Sequence, residues 1–286
     1  MKQVFLCAIA NFVLLVGVSA QISEGGNPTS TLTQHALTTN LDFVNLEPIN
    51  VAQASKEDEK MARNEGAYMI SRFISTDINI LHNGTWDELE DGSLLWRLKI
   101  KSDGAQALGL IYDDFFLPNQ AKMFVYNHDK SQVLGAFTEF NNPDDGIWAN
   151  ELIYGDEVTI EVLIGPATVE MPRISINKVS YVYRNSGRDR FLKDFGDSDN
   201  CQVNANCSES NSFKDQQRSA VRILVSTGMG QGWCSGALIN NTAQDCKPYI
   251  LTADHCGEGA SATHLNQWIF YFNYEAPGCS NPGSEG

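Results

Sequence analysis

Between Trp233 and Gly257 two apolar runs, Trp233-Cys234-Ser235-Gly236-Ala237-Leu238-Ile239 and Tyr249-Ile250-Leu251-Thr252-Ala253, are joined by the polar stretch Asn240 to Asp245. A cysteine stands near the start of the first run, and Cys256 closes the second. Such a layout predicts a β-hairpin whose open end is stapled by a Cys234–Cys256 bond. In the chain-entropy picture a loop of this size adds about 3 kcal/mol. The staple would also hold the backbone beside His255, as a general base requires if it is to stay within hydrogen-bond reach of a nucleophile. The spacing alone is equally compatible with His255 as a polar residue in a disulfide loop.

The remaining cysteines follow the same segment. Cys7 lies in an N-terminal stretch of its own, and the other six all come after residue 200. Met1 to Ala20 has the parts of a signal peptide: Lys2, an apolar run from Val4 to Val18, and small residues at Val18-Ser19-Ala20 before Gln21. The run is short for a membrane span and no basic flank follows it, so export without an anchor is expected. An even set of cysteines in an exported chain reads as disulfides. Zinc held by Cys246, His255 and Cys256 fails on spacing, with two adjacent ligands and no Cys-x-x-Cys pair. No metal and no cofactor are expected.

Charge excludes one class of partner. The formal net charge is −15, and residues 21–200 hold 28 acidic against 15 basic side chains. That balance argues against nucleic-acid binding and for a solvated surface.

Residues 21–67 are polar with scattered apolar positions, which predicts little independent structure. Their charged run, Lys56 to Asn64, reads as a short helix with a solvated face. From 68 to 185 the period becomes two. Trp96, Leu98 and Ile100 alternate with Arg97, Lys99 and Lys101, and Val158, Ile160, Val162 and Ile164 share another face. Turn formers such as Asp91-Gly92, Asp144-Asp145-Gly146 and Gly165-Pro166 punctuate these runs, which predicts an antiparallel β-sandwich. Asp113, Asp114, Asp144, Asp145 and Asp156 lack EF-hand spacing and read as turn residues. No carboxylate pair stands out for glycoside hydrolysis.

Residues 186–200 are polar and carry Arg188, Arg190 and Lys193, the composition of an exposed, cleavable linker. Beyond it Val221, Ile223 and Val225 alternate as a strand, and Gln267 to Tyr274 reads as a strand buried on both faces.

Cys-Ser-Gly-Ala-Leu-Ile followed by Leu-Thr-Ala-Asp-His-Cys-Gly resembles the histidine region of trypsin-like serine proteases. With Leu-Ile-Asn-Asn-Thr and Phe272-Asn273-Tyr274, it is similar more closely to the lysyl endopeptidase branch of bacterial secreted proteases. Trp96-Arg97-Leu98-Lys99-Ile100 resembles part of the pro-region of that family. The resemblance implies that His255 is the general base, that Cys234–Cys256 is its clamp, and that Cys207 bonds Cys279. It sends Cys201 to a cysteine this sequence does not contain, and Cys246 has no counterpart.

The expected fold is therefore all-β: a β-sandwich-like pro-domain followed by the incomplete first β-barrel of a chymotrypsin-like protease. Residues 1–20 would be the signal peptide, 21–67 a pro-segment, 68–185 the pro-domain, 186–200 the linker and 201–286 the N-terminal portion of a truncated protease domain. A triad also needs an acid and a serine. Glu258, Glu275 and Glu285 do not match the family's distant Asp, and no Gly-x-Ser-Gly turn follows His255. The expected function is a secreted endopeptidase precursor acting on proteins or peptides, with intramolecular contact between pro-domain and protease part, and inactive as it stands. The competing readings are a pseudoprotease or adhesion protein without catalysis, and a sandwich-domain hydrolase.

Overall fold

The computed structural model describes residues 23–32, 36–62, 67–184 and 202–280. The first part runs β1 (Phe43–Asn45), α1 (Val51–Ala62), β2 (Tyr68–Met69), β3 (Ser71–Asn79), β4 (Thr85–Glu88), β5 (Leu94–Lys101), β6 (Ala107–Phe116), β7 (Ala121–Asn127) and β8 (Val133–Phe137). It continues through β9 (Trp148–Ala149), β10 (Ile153–Tyr154), β11 (Glu157–Ile164) and β12 (Arg173–Val182). The cysteine-rich part holds α2 (Lys214–Ser219), β13 (Ala220–Ser226), β14 (Gln231–Ile239), β15 (Tyr249–Thr252), α3 (Ala262–Leu265) and β16 (Ile269–Phe272). The class is all-β, with open sheets. Among the described residues no helix is long and apolar enough to cross a membrane.

The strands form three sheets. The first has the order β1-β5-β11-β7-β8, with β4 also on β5; the second is β10-β6-β12-β3, with β9 on β6. The two alternating runs seen in the sequence are direct neighbours: Val158 faces Ile100, Ile160 faces Leu98 and Val162 faces Trp96 across β11 and β5. Their inward side chains meet Leu110 and Tyr112 of β6 and Ile176 and Val179 of β12 in one core. This is the expected sandwich. Cross-strand apolar pairs of this kind are the unit of sheet stabilisation.

The third sheet, β15-β14-β13-β16, belongs to the cysteine-rich part, yet β2 from the first part pairs with β14. It packs on the outer face of the second sheet. Along β6, Leu108, Leu110 and Tyr112 point into the sandwich, while Ala107 and Ile111 point out and join Ile70 and Val182 against Leu224 and Ile269. The second sheet is thus covered on part of its outer face as well, around Ala107, Ile111 and Val182, and the sheets stack three deep there. Strand β13 is also buried on both sides, with Leu224 toward the sandwich and Val221, Ile223 and Val225 toward Cys256.

Two expectations need correction. The first concerns residues 23–32 and 36–62, which are ordered by what they dock on. Ser30 N–H donates to Glu161 Oε1 at 3.1 Å, and Leu46 N–H donates to the Lys101 carbonyl at 2.8 Å. Asn50 Oδ1 accepts from Gln53 N–H at 3.1 Å at the start of α1, the usual service of an N-cap asparagine. The charged face of α1 is not wholly solvated, because Asp58 is only 3% exposed. It pairs with Arg72, with Arg184 at 2.7 Å, and accepts from the Tyr183 hydroxyl.

The second correction is the 267–274 strand. Only Ile269–Phe272 is strand, and it pairs with β13 alone. Ile269 is buried, but Phe270 and Phe272 are 40% and 46% exposed. Ile269 shares with Leu224 the face that meets the sandwich, whereas Phe270 and Phe272 lie on the opposite face.

Candidate active site

The hairpin forms as the spacing predicts. Gly236, Ala237, Leu238 and Ile239 of β14 pair with Thr252, Leu251, Ile250 and Tyr249 of β15. Gly236 is where the strands approach too closely for a side chain, since a Cβ there would lie 2.8 Å from the Leu251 carbonyl oxygen. Chain direction reverses after Thr252 in a single 3-10 turn, Asp254–Cys256, closed by Cys256 N–H to the Ala253 carbonyl at 3.1 Å.

His255 sits in that turn. Cys256 is bonded to Cys234 and is buried, so the turn is pinned to β14 from below while His255 stays exposed. A ring nitrogen of His255 and the two disulfide sulfurs all lie within 4.8 Å of one another. The sulfurs are joined to each other, so this trio does not offer thiolate ligands. Among the described residues no carboxylate is within ion-pair distance of His255, and the neighbouring Asp254 is itself exposed. The arrangement supplies a rigid perch for an accessible imidazole. It does not by itself orient the ring.

The structure also joins Cys207 to Cys279. Asn204 and Asn206 brace the same corner by donating to the carbonyls of Cys279 and Ala276 at 2.9 and 2.7 Å. Cys246 is free and exposed in the hairpin loop. Cys201 and the linker residues Arg188, Arg190 and Lys193 lie outside the described residues.

Next to the clamp, β14 is already engaged. Its residues Gly232 and Trp233, just before Cys234, pair with Met69 and Tyr68 of β2. Gly230 and Gly232 permit this contact: added Cβ atoms would fall 2.1 Å from the Ser71 oxygen and 2.7 Å from the Tyr68 oxygen. Arg184 Nε donates to the Met69 carbonyl at 2.8 Å, so the Asp58 cluster helps hold β2 in place.

Sequence reasoning missed one more feature of this seam. Arg222 stacks between two rings, 3.5 Å from the Trp233 centroid and 4.3 Å from that of Tyr274. A cavity of about 80 Å³ lies beside it, walled by Gln132 and Tyr154 of the sandwich and Tyr271 of the third sheet. An arginine within the otherwise apolar run from Val221 to Val225 was the available sign, since a planar guanidinium stacks well on aromatic faces.

These features, an exposed histidine on a disulfide-clamped turn of an antiparallel sheet, coincide with a family match. Residues 195–286 match the family model described as lysyl endopeptidase, C-terminal domain. One particular relative is the lysyl endopeptidase of Pseudomonas aeruginosa, 26% identical over 201 residues that make up 66% of this chain and 42% of that protein. The chain therefore spans less than half the length of this relative. No solved structure matches it. The likeness is to a protease family and supports a lysyl endopeptidase-like relationship.

Proposed function

We propose that the chain is the N-terminal part of the precursor of a secreted serine endopeptidase, with residues 21–185 as a pro-region, 186–200 as the connecting segment cut on maturation and His255 as the general base. The observation that carries this reading is the coincidence of the His255 turn and its Cys234–Cys256 clamp with the lysyl endopeptidase match, which begins at residue 195 within the connecting segment. Proteins or peptides would be the substrates, and preference for lysine rests on likeness to the relative alone. The acid and the nucleophile of the reaction are assigned to no residue here.

In this reading the imidazole takes the proton of a serine hydroxyl during attack and returns it to the leaving amine. An exposed ring on a fixed turn suits that exchange. The exposure of the ring and the lack of an orienting carboxylate among the described residues also suit the second reading, a non-catalytic relative that only binds.

One experiment separates them. The extended gene product is expressed with and without His255→Ala and assayed on lysyl and arginyl esters with a serine-reactive label. Activity lost with His255→Ala supports the proposal, and no activity or labelling in the extended wild-type protein overturns it. N-terminal sequencing of the secreted product should place a cut between Arg188 and Cys201; a mature start at Gln21 would defeat the assignment of the pro-region.

A further inference from the structure

Gln231, the first residue of β14, has no solvent exposure, and its side chain reaches across the seam to the second sheet. It lies over Gly109 of β6, where an added Cβ would come 3.2 Å from Gln231 Oε1 and 3.0 Å from Leu152 Cδ2. The glycine leaves a notch, and the glutamine fills it. The backbone of Gln231 is fully paired, with N–H donating to Ser71 Oγ at 2.8 Å and the carbonyl accepting from Ile70 N–H at 2.9 Å. The side-chain amide is not: Oε1 and Nε2 are both buried without a hydrogen-bond partner.

Leu152 and Ser180 border the same notch, and the cluster that joins the two sheets here includes Ile70, Ile111, Val182, Leu224 and Ile269. Each polar atom taken from water without a partner loses its hydration with no compensation. A methionine or leucine would fill the same notch without that loss. While the connecting segment is intact, the sandwich and the third sheet are tethered and a weak contact suffices to keep them together. Once it is cut, the contact must stand alone.

We infer that Gln231 limits the strength of the contact between the sandwich and the third sheet, so that the two part readily after the connecting segment is cut. The inference rests on the proposed role of residues 21–185 as a releasable pro-region. Gly109 and Gln231 form the adjusting pair: one opens the notch and the other places an unpaired amide in it.

The test uses the full chain with residues 188–193 replaced by the recognition sequence of a site-specific protease. After cutting, the rate at which the two parts separate on dilution is followed by size-exclusion chromatography with light scattering. Gln231→Met and Gln231→Leu should each slow separation about tenfold or more. Gly109→Ala, which crowds the notch, should speed it. Thermal unfolding of the uncut chains checks that each variant folds. Separation as fast as wild type in the apolar variants overturns the inference, and so does failure of both to fold, since the amide would then be required by the folded chain. Separation is read by size alone, so a negative result leaves the proposed peptidase role standing, and an inactive extended protein leaves the separation rates valid.

Discussion

Ser71 and Gln231, 160 residues apart, are bonded through the Ser71 hydroxyl oxygen and the Gln231 backbone N–H at 2.8 Å. Ser180 donates to the same Ser71 oxygen at 2.6 Å, and all three residues have no solvent exposure. This polar thread crosses the seam beside the pairing of β2 with β14. Ser71→Ala should lower stability by about 1–3 kcal/mol, because it strands a buried N–H. Chemical denaturation of the intact chain checks the value.

Asp58 is expected to behave unlike its neighbours in the same charged run. Removing it leaves Arg72 and Arg184 without their buried partner, and Asp58→Ala should cost about 3 kcal/mol or more. Glu59→Ala, on the exposed face of α1, should stay within about 0.5 kcal/mol. Equal effects of the two substitutions would show that the cluster does not hold α1 to the sandwich.

Acid should loosen the first sheet. Burial alone would raise the Asp87 carboxyl, but hydrogen bonds from Thr38 and the Arg97 guanidinium outweigh it and hold the group below its ordinary value of 3.8. Glu157 follows the same pattern: burial opposes, while His128 and Lys99 prevail and hold it below 4.5. A carboxyl whose folded value is depressed contributes stability that is present above the unfolded value and lost as pH falls through the folded one. Denaturant midpoints should therefore decline from near pH 4.5 downward. Asp87→Asn should flatten part of that decline, and a slope unchanged by it would refute the assignment.

His255→Ala should leave folding almost untouched, within about 0.5 kcal/mol, because the ring is exposed and the turn is held by its backbone and by Cys256. Thermal unfolding reads this directly. If the extended protein is a serine peptidase, the same substitution should remove activity by about 10⁶-fold, since triad members act as a unit. A large loss of stability would make any loss of activity uninformative about chemistry.

Replacing Cys234 and Cys256 together by serine should cost about 3 kcal/mol and free the His255 turn. Hydrogen exchange should rise in β15 and around Asp254 while β5 and β11 of the sandwich stay protected. Uniform loss of protection would mean that the third sheet and sandwich unfold as one unit.

Much of the architecture was legible in the amino-acid order because it depends on short-range repetition. A period of two put Trp96, Leu98 and Ile100 on one face and Val158, Ile160 and Val162 on another, and those faces are the ones that meet. The hairpin at 233–252 followed from two apolar runs and the polar turn between them. Local chemistry was sufficient there, since a strand's facing is decided by its own alternation.

Other features were decided only by contacts between distant segments. Nothing around Asp58 distinguishes it from Glu57 or Glu59; it is buried because Arg72 of β3 and Tyr183 and Arg184, just past β12, converge on it. Gln267 to Tyr274 is apolar enough for a doubly covered strand, yet Phe270 and Phe272 are exposed because they lie on the face turned away from the sandwich. The third layer was equally hidden. Ala107, Gly109 and Ile111 look like the solvent side of a sandwich strand until Gln231, Leu224 and Ile269 pack on them. Alternation assigns each side chain to a face, but which face is covered depends on where another sheet comes to rest.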